Sequence, residues 1–211
     1  MRLLLPLGLC LAISACSEAE RDAAADADGN GSMTAATAGA TDDVGPSTID
    51  CARARGQAEQ AVCADKELTA IDRGLSEMPG YAVDAAWVAK RGECSHSDDL
   101  RHCLLDLYAS RVADLAASGM KEGGIVWGPV DLRCGPDEAV AYFLRSDPGV
   151  MHLKIGDQRV TLPHAAPGSN TEYKGMIDGR PWSFWSKNRQ VTLVRAGGEE
   201  IACKELGRID E

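Results

Sequence analysis

Ser169 and Lys187 are the residues of this chain whose types and spacing offer chemistry toward a partner. They bound a stretch that opens with Ser169-Asn170-Thr171-Glu172-Tyr173 and closes with Phe184-Trp185-Ser186-Lys187. Its middle, Ile177-Asp178-Gly179-Arg180-Pro181, reads as a turn between two short strands. Asp-Gly between extended runs signals a hairpin, because glycine supplies the positive φ that a tight turn demands. Asn170 follows the serine and Asn188 follows the lysine. Asparagine is the non-glycine residue most at ease in the left-handed region, so both places read as turn corners. A small hydroxyl donor and a flexible ammonium then project from two corners of one sheet, which is the geometry of a plug. Tyr173 and Trp185 complete the candidate partner-binding set, as strand packing that holds the corners apart.

Cysteines are the other chemically distinctive residues, and the first of them belong to an address. Met1 and Arg2 form a positive start, and Leu3 to Leu11 form an apolar core too short to span a bilayer. Ile13-Ser14-Ala15-Cys16 is then a run of small residues ending in cysteine. That run resembles the lipobox of bacterial lipoproteins. The resemblance implies a signal peptide over residues 1–15, cleavage before Cys16, and palmitate-type acyl chains on its sulfur and new amino terminus. A membrane is then a partner through the lipid. Ser17 rather than aspartate after the cysteine implies an outer-membrane address facing the periplasm. Residues 16–49 read as the lipidated cysteine and a disordered acidic tether. Ala, Asp, Gly, Ser and Thr without aromatics cannot bury enough surface to offset their ordering entropy. The tether and the segment after it carry most of the formal net charge of −10, and no basic stripe exists, which argues against nucleic acid as a partner.

With Cys10 and Cys16 set aside, Cys51, Cys63, Cys94, Cys103, Cys134 and Cys203 remain. Six cysteines allow fifteen pairings, and the sequence leaves them open. An oxidising envelope favours disulfides, and keeping pairs within one domain favours Cys51–Cys63, Cys94–Cys103 and Cys134–Cys203. Cys94, His96, His102 and Cys103 are zinc-ligand types close together, but their spacing is neither a finger nor a ribbon. No metal and no cofactor is expected. No Gly-x-Ser-x-Gly, His-Glu-x-x-His or phosphate loop occurs, and the histidines are scattered, so the chain is not read as an enzyme.

The elements that must position these residues are of two kinds, with the change near Lys121-Glu122-Gly123-Gly124. Before it the period is helical. Leu68, Ile71 and Leu75 follow Asp65, an N-cap type, and Leu100, Leu104, Leu107, Tyr108, Val112 and Leu115 follow Asp98-Asp99. Met78-Pro79-Gly80 breaks the first long helix, and Trp87 anchors a middle helix ended by Gly92. After Gly124 the period becomes two. Met151, Leu153 and Ile155 alternate with His152 and Lys154, Val160 and Leu162 alternate with Arg159 and Thr161, and Val140, Tyr142 and Leu144 form another face. About eight short antiparallel strands suggest a small closed barrel, which removes exposed edges. The expected fold class is α+β by domain. A small disulfide-stapled helical domain and linker span residues 50–124, and a small antiparallel β-barrel spans residues 125–211.

Residues 50–116 resemble the lysozyme inhibitor LprI N-terminal domain family. The likeness rests on Asp50-Cys51-Ala52, Ala61-Val62-Cys63-Ala64-Asp65, Leu68 and Asp72, then Trp87, Arg91, Cys94, Cys103-Leu104, Tyr108, Arg111 and Leu115. Residues 127–206 resemble the membrane-bound inhibitor of c-type lysozyme (MliC) family. Arg133-Cys134-Gly135 begins that likeness, Val160-Thr161-Leu162-Pro163 precedes the serine loop, and Ile201-Ala202-Cys203-Lys204 ends it. Ser169 to Tyr173 matches the family's serine–glycine–any–any–tyrosine motif, and Phe184 to Lys187 its aromatic–hydroxyl–lysine motif. Asparagine stands at 170 and 188 where glycine is usual. The resemblance implies that Ser169 and Lys187 are the inhibitory residues. It implies a non-enzymatic inhibitor that plugs the cleft of c-type lysozyme and protects cell-wall peptidoglycan. The alternative is an envelope lipoprotein that binds another protein or a glycan. Residues 125–211 contain both plug residues and are expected to inhibit alone.

Overall fold

Aspartates begin three of the four helices in the computed structural model, which describes residues 48–119, 124–165, 171–187 and 190–206. The helices are α1 (Gln57–Ala64), α2 (Lys66–Ser76), α3 (Ala85–Glu93) and α4 (Leu100–Ala117). Asp65 accepts from the Glu67 and Leu68 amides at 2.9 and 3.1 Å, Asp84 from Trp87 at 2.7 Å, and Asp99 from His102 at 2.9 Å. Each aspartate satisfies amides that have no partner inside their own helix. Gly92, expected to end α3, lies inside it; the helix continues to Glu93 and into the 3-10 turn Cys94–His96. Leu68, Ile71, Leu75, Leu104 and Tyr108 form a fully buried core, stapled by Cys51–Cys63 and Cys94–Cys103. The second staple ties up both cysteines of the zinc-like set, so neither sulfur is a thiolate.

A polar network lies inside this helical core. The Asp72 carboxylate is fully buried and accepts from the Tyr108 hydroxyl at 2.7 Å, the Thr48 amide at 2.9 Å and the Thr48 hydroxyl. Burial and the Asp72 charge both raise the Tyr108 phenol well above its ordinary range. Arg91 donates to Thr48 Oγ1 at 3.2 Å and to Glu59 at 3.4 Å. Ile49 is buried in the same core. Thr48 and Ile49, which composition assigned to the tether, are therefore built into the helical layer. A buried carboxylate supplies the partner that composition could not reveal.

Eight antiparallel strands follow: β1 (Val126–Cys134), β2 (Asp137–Leu144), β3 (Val150–Ile155), β4 (Gln158–Pro163), β5 (Thr171–Ile177), β6 (Arg180–Lys187), β7 (Gln190–Val194) and β8 (Glu200–Glu205). Their order is β4-β3-β2-β1-β8-β7-β6-β5. The edge strands β4 and β5 meet where His164 bridges Tyr173 and the Ala165 amide donates to the Glu172 carbonyl at 2.7 Å, so the sheet is a nearly closed barrel. Cys134 and Cys203 face each other across β1 and β8 and are joined. A covalent loop of that length is worth roughly 4 kcal/mol in the chain-entropy account. The β5–β6 turn narrows to Asp178 and Gly179, with φ of 52° and 71°. Two positive φ values in a two-residue loop make the twist-matched hairpin turn that Asp-Gly favours.

The alternation in β2 to β4 conceals a second buried face. Met151, Leu153, Val160 and Leu162 fill the barrel, whereas Tyr142, Leu144 and Val150 join the helical core outside it. His152 and Thr161, polar positions in the sequence pattern, are 2% and 0% exposed because α4 covers them. Glu67 on α2 is 3% exposed and reaches the β2–β3 turn, accepting from the Gly149 amide at 3.1 Å and the Ser146 hydroxyl at 3.2 Å. Arg101 completes its shell at 2.6 Å.

Gly74 lies where α2 packs tightly against Ile125, the residue before β1. A methyl built there would lie 2.5 Å from Ile125 Cβ. Alanine would favour an isolated helix by about 1 kcal/mol. Gly74→Ala is nevertheless expected to destabilise the folded chain by about 1–3 kcal/mol, because overpacking forces a backbone shift. Chemical denaturation checks this: a gain in stability would mean that α2 does not dock there.

His152 gives the fold a pH dependence. Thr161 Oγ1 donates to Asp106 at 2.7 Å, so its 2.9 Å contact with His152 Nδ1 requires Nδ1–H as donor. Burial pushes its pKa below the ordinary value, against a smaller upward pull from Asp106. The unfolded imidazole takes a proton near pH 6.5, while the folded one resists until lower pH. The unfolded state therefore binds more protons in that window, and stability is lost as pH falls below about 6.5. The melting temperature should fall between pH 7 and pH 5, and His152→Gln should flatten that slope. An unchanged slope in the variant would assign the effect to other groups.

Candidate partner-binding rim of the barrel

Lys187 is the last residue of β6 and is exposed. The register sets it opposite Gln190 of β7, with Ser186 facing Thr171 of β5 on one side and Val191 of β7 on the other. Among the described residues no ion pair involves Lys187, whereas nearby Lys174 is held by Glu172 at 2.7 Å. The Lys187 side chain is exposed at a strand end, with no described carboxylate in an ion pair with it. Ser169, Asn170, Asn188 and Cys16, the residue expected to carry the lipid, lie outside the described residues. In the chain Ser169 is two residues before Thr171, the residue that faces Ser186.

Tyr173 and Trp185 fall on opposite faces of the β5–β6 pair. Tyr173 is 7% exposed inside the barrel, with its ring against His164, Phe143 and Phe184 at centroid distances of 5.3, 5.6 and 6.3 Å. Burial raises its phenol above the ordinary value. Trp185 is half-buried, opposite Glu172 and Thr192, on the outer side that Lys187 shares by the pleat. Tyr173 thus acts as core beneath the rim, and Trp185 as its outer wall.

The barrel end at which β6 terminates opens into a cavity of about 310 Å³. Trp127, Leu132, Phe143, Tyr173, Phe184 and Val191 form its apolar walls, with Thr171, Ser186 and Glu205 as its polar groups. Trp127 packs on Phe143 at 5.0 Å yet remains 43% exposed, so one large ring is left facing solvent at the mouth. The sequence reading missed this set. The usable signal was the strand period: Ser186 lies two residues after Phe184, and Thr171 two before Tyr173, so both share the inward face. A second cleft, of about 260 Å³, lies between α3, α4 and β4. Four of its charges pair, Arg111 with Asp84 at 3.7 Å and Arg159 with Asp114 at 3.4 Å, and Lys90 also lines it.

No family model matches the chain, and no solved structure matches it. The chain is similar to Lipoprotein LprI of Mycobacterium bovis and of two strains of Mycobacterium tuberculosis. Each is 28% identical over 165 residues, covering 69% of this chain and 78% of the relative. A stretch of that extent exceeds the helical region, so the similarity runs into the strands or the segment before the helices.

Proposed function

We propose that this chain is a lipid-anchored, non-enzymatic inhibitor of c-type lysozyme, blocking the enzyme's cleft with Lys187 and Ser169. The observation that carries the reading is the exposed Lys187 ammonium at the end of β6, which pairs with none of the described carboxylates. Likeness to a lipoprotein and the MliC-type motifs around Ser169 and Lys187 point the same way. Lysozyme needs one carboxyl protonated as general acid and another ionised, and both lie in its cleft. An ammonium delivered between them favours the ionised forms and removes the proton donor. A serine hydroxyl donates to a carboxylate oxygen and fixes the plug's orientation. Blocking the sugar subsites adds simple exclusion, and peptidoglycan is protected. On this reading residues 50–124 form a helical domain and residues 125–211 an inhibitory MliC-like barrel.

The testing experiment is lysis of bacterial cells by c-type lysozyme with the purified chain added. Protection in proportion to inhibitor is the expected result. Lysis at the uninhibited rate would instead favour an envelope lipoprotein that binds another protein or a glycan.

The anchor is separately testable. On this reading the acyl chains sit on Cys16 and hold the protein at the outer membrane, facing the periplasm. A single acyl chain binds membranes only marginally, so the several chains of a lipoprotein are needed for stable attachment. Cys16→Ser should move the protein from membranes to the soluble fraction with its melting temperature unchanged. Membrane fractionation equal to the parent's would remove the lipoprotein reading.

A further inference from the structure

The cavity at the barrel mouth has the attributes of a small-molecule site independent of any protein partner. Its volume of about 310 Å³ is at the lower end of the range for ligand pockets, about 300–1,000 Å³. An apolar cavity of about 150 Å³ holds one benzene, so this one accommodates two fused rings. The walls are aromatic in a continuous chain: Trp127 to Phe143 at 5.0 Å, and Phe143 to Tyr173 and Phe184 at 5.6 and 6.0 Å. Such rings favour an aromatic guest, through offset and edge-to-face contacts beyond simple burial. Strands β1, β2, β5, β6, β7 and β8 all contribute to the lining, which fixes the walls by the sheet rather than by loops.

Polar groups in the lining are few. Thr171 and Ser186 offer hydroxyls, and Glu205 offers an exposed carboxylate. A smaller depression of about 170 Å³ shares Trp127 and Glu205 with the cavity and adds Asp131. Among the described residues no cationic side chain lines either space, and by the pleat Lys187 lies on the face of β6 opposite Ser186. The Glu205 carboxylate, with no described cation in the lining and beside aromatic faces that themselves attract cations, selects a positively charged head. We propose that the barrel mouth binds a small aromatic amine, with two fused rings among Trp127, Phe143, Tyr173 and Phe184 and the ammonium on Glu205.

The test uses the whole chain carrying Cys16→Ser and three probes that share one ring system: tryptamine, indole and indole-3-acetate. The readout is the indole N–H signal of Trp127 in nuclear magnetic resonance spectra, assigned with Trp127→Phe. Tryptamine should displace that signal saturably and bind at least about tenfold more tightly than indole-3-acetate. Glu205→Gln should bring tryptamine and indole within about twofold of each other, because the head then loses its charged partner. Glu205 is exposed at the end of β8, so this variant retains the parent melting temperature. Absence of saturable displacement by any probe at millimolar concentration overturns the site. Displacements centred on Trp87 or Trp182 overturn its location, and equal affinity for all three probes overturns the amine. No arm contains lysozyme, so failure here leaves the inhibitor reading untouched.

Discussion

Lys187→Ala weakens inhibition of c-type lysozyme by roughly 30-fold to a few thousand-fold and leaves the melting temperature nearly unchanged. In the free chain this ammonium is exposed and pairs with none of the described carboxylates, so it contributes little to folding. In the proposed complex it is desolvated against two carboxylates. Truncating one partner of such a buried charged contact costs about 2–5 kcal/mol, which is the stated range in dissociation constant. Lys187→Arg restores only part of the loss, since a wide planar fork does not replace a compact ammonium between two close carboxyls. Ser169→Ala costs less, about 1–3 kcal/mol, through a lost hydrogen bond to a charged group. Inhibition constants of the folded single and double variants check the set. Parent-like potency in Ser169→Ala, Lys187→Ala would assign the block to another surface.

Glu67→Ala lowers the stability of the chain by about 3–5 kcal/mol, the largest loss expected from a substitution remote from the rim. The carboxylate is almost completely buried and holds Arg101, the Ser146 hydroxyl and the Gly149 amide. Its removal leaves the buried Gly149 amide and the half-buried Ser146 hydroxyl without this acceptor and Arg101 without its shortest ion pair. Glu67→Gln keeps an acceptor and loses less. Denaturant unfolding followed separately by helical signal and by barrel tryptophan signal is the measurement. The two signals should shift together in Glu67→Ala. A shift in the helical signal alone would mean that helices and barrel unfold independently. The same contacts bear on the isolated segment 125–211, which carries Lys187 and Ser169 and was expected to inhibit alone. Without the helices, Tyr142, Leu144 and Val150 meet water, so that fragment should melt well below the whole chain even where it retains inhibition.

What the sequence alone determined was local. Asp65 and Asp99 begin helices because a cap needs only the two or three amides that follow it. Asp178-Gly179 makes the hairpin because turn geometry depends on two residues. The period-two runs became strands, and the pairings Cys51–Cys63, Cys94–Cys103 and Cys134–Cys203 formed within the halves that the change of period marks. The exposed position of Lys187 also follows from a strand end. The tertiary structure alone decided that α4 covers the outer face of β3 and β4 and that α2 reaches the β2–β3 turn, and so that His152, Thr161 and Glu67 are buried. Alternation cannot distinguish a face against water from one against a helix, because both strand faces then hold mixed residues. Glu67 meets Ser146 and Gly149 across 79 and 82 residues, and Trp127 meets Phe143 only when β1 and β2 pair and curl. Contacts of that range leave no pattern in neighbouring residues, since each is fixed by docking energy summed over the whole buried face rather than by the chain around it.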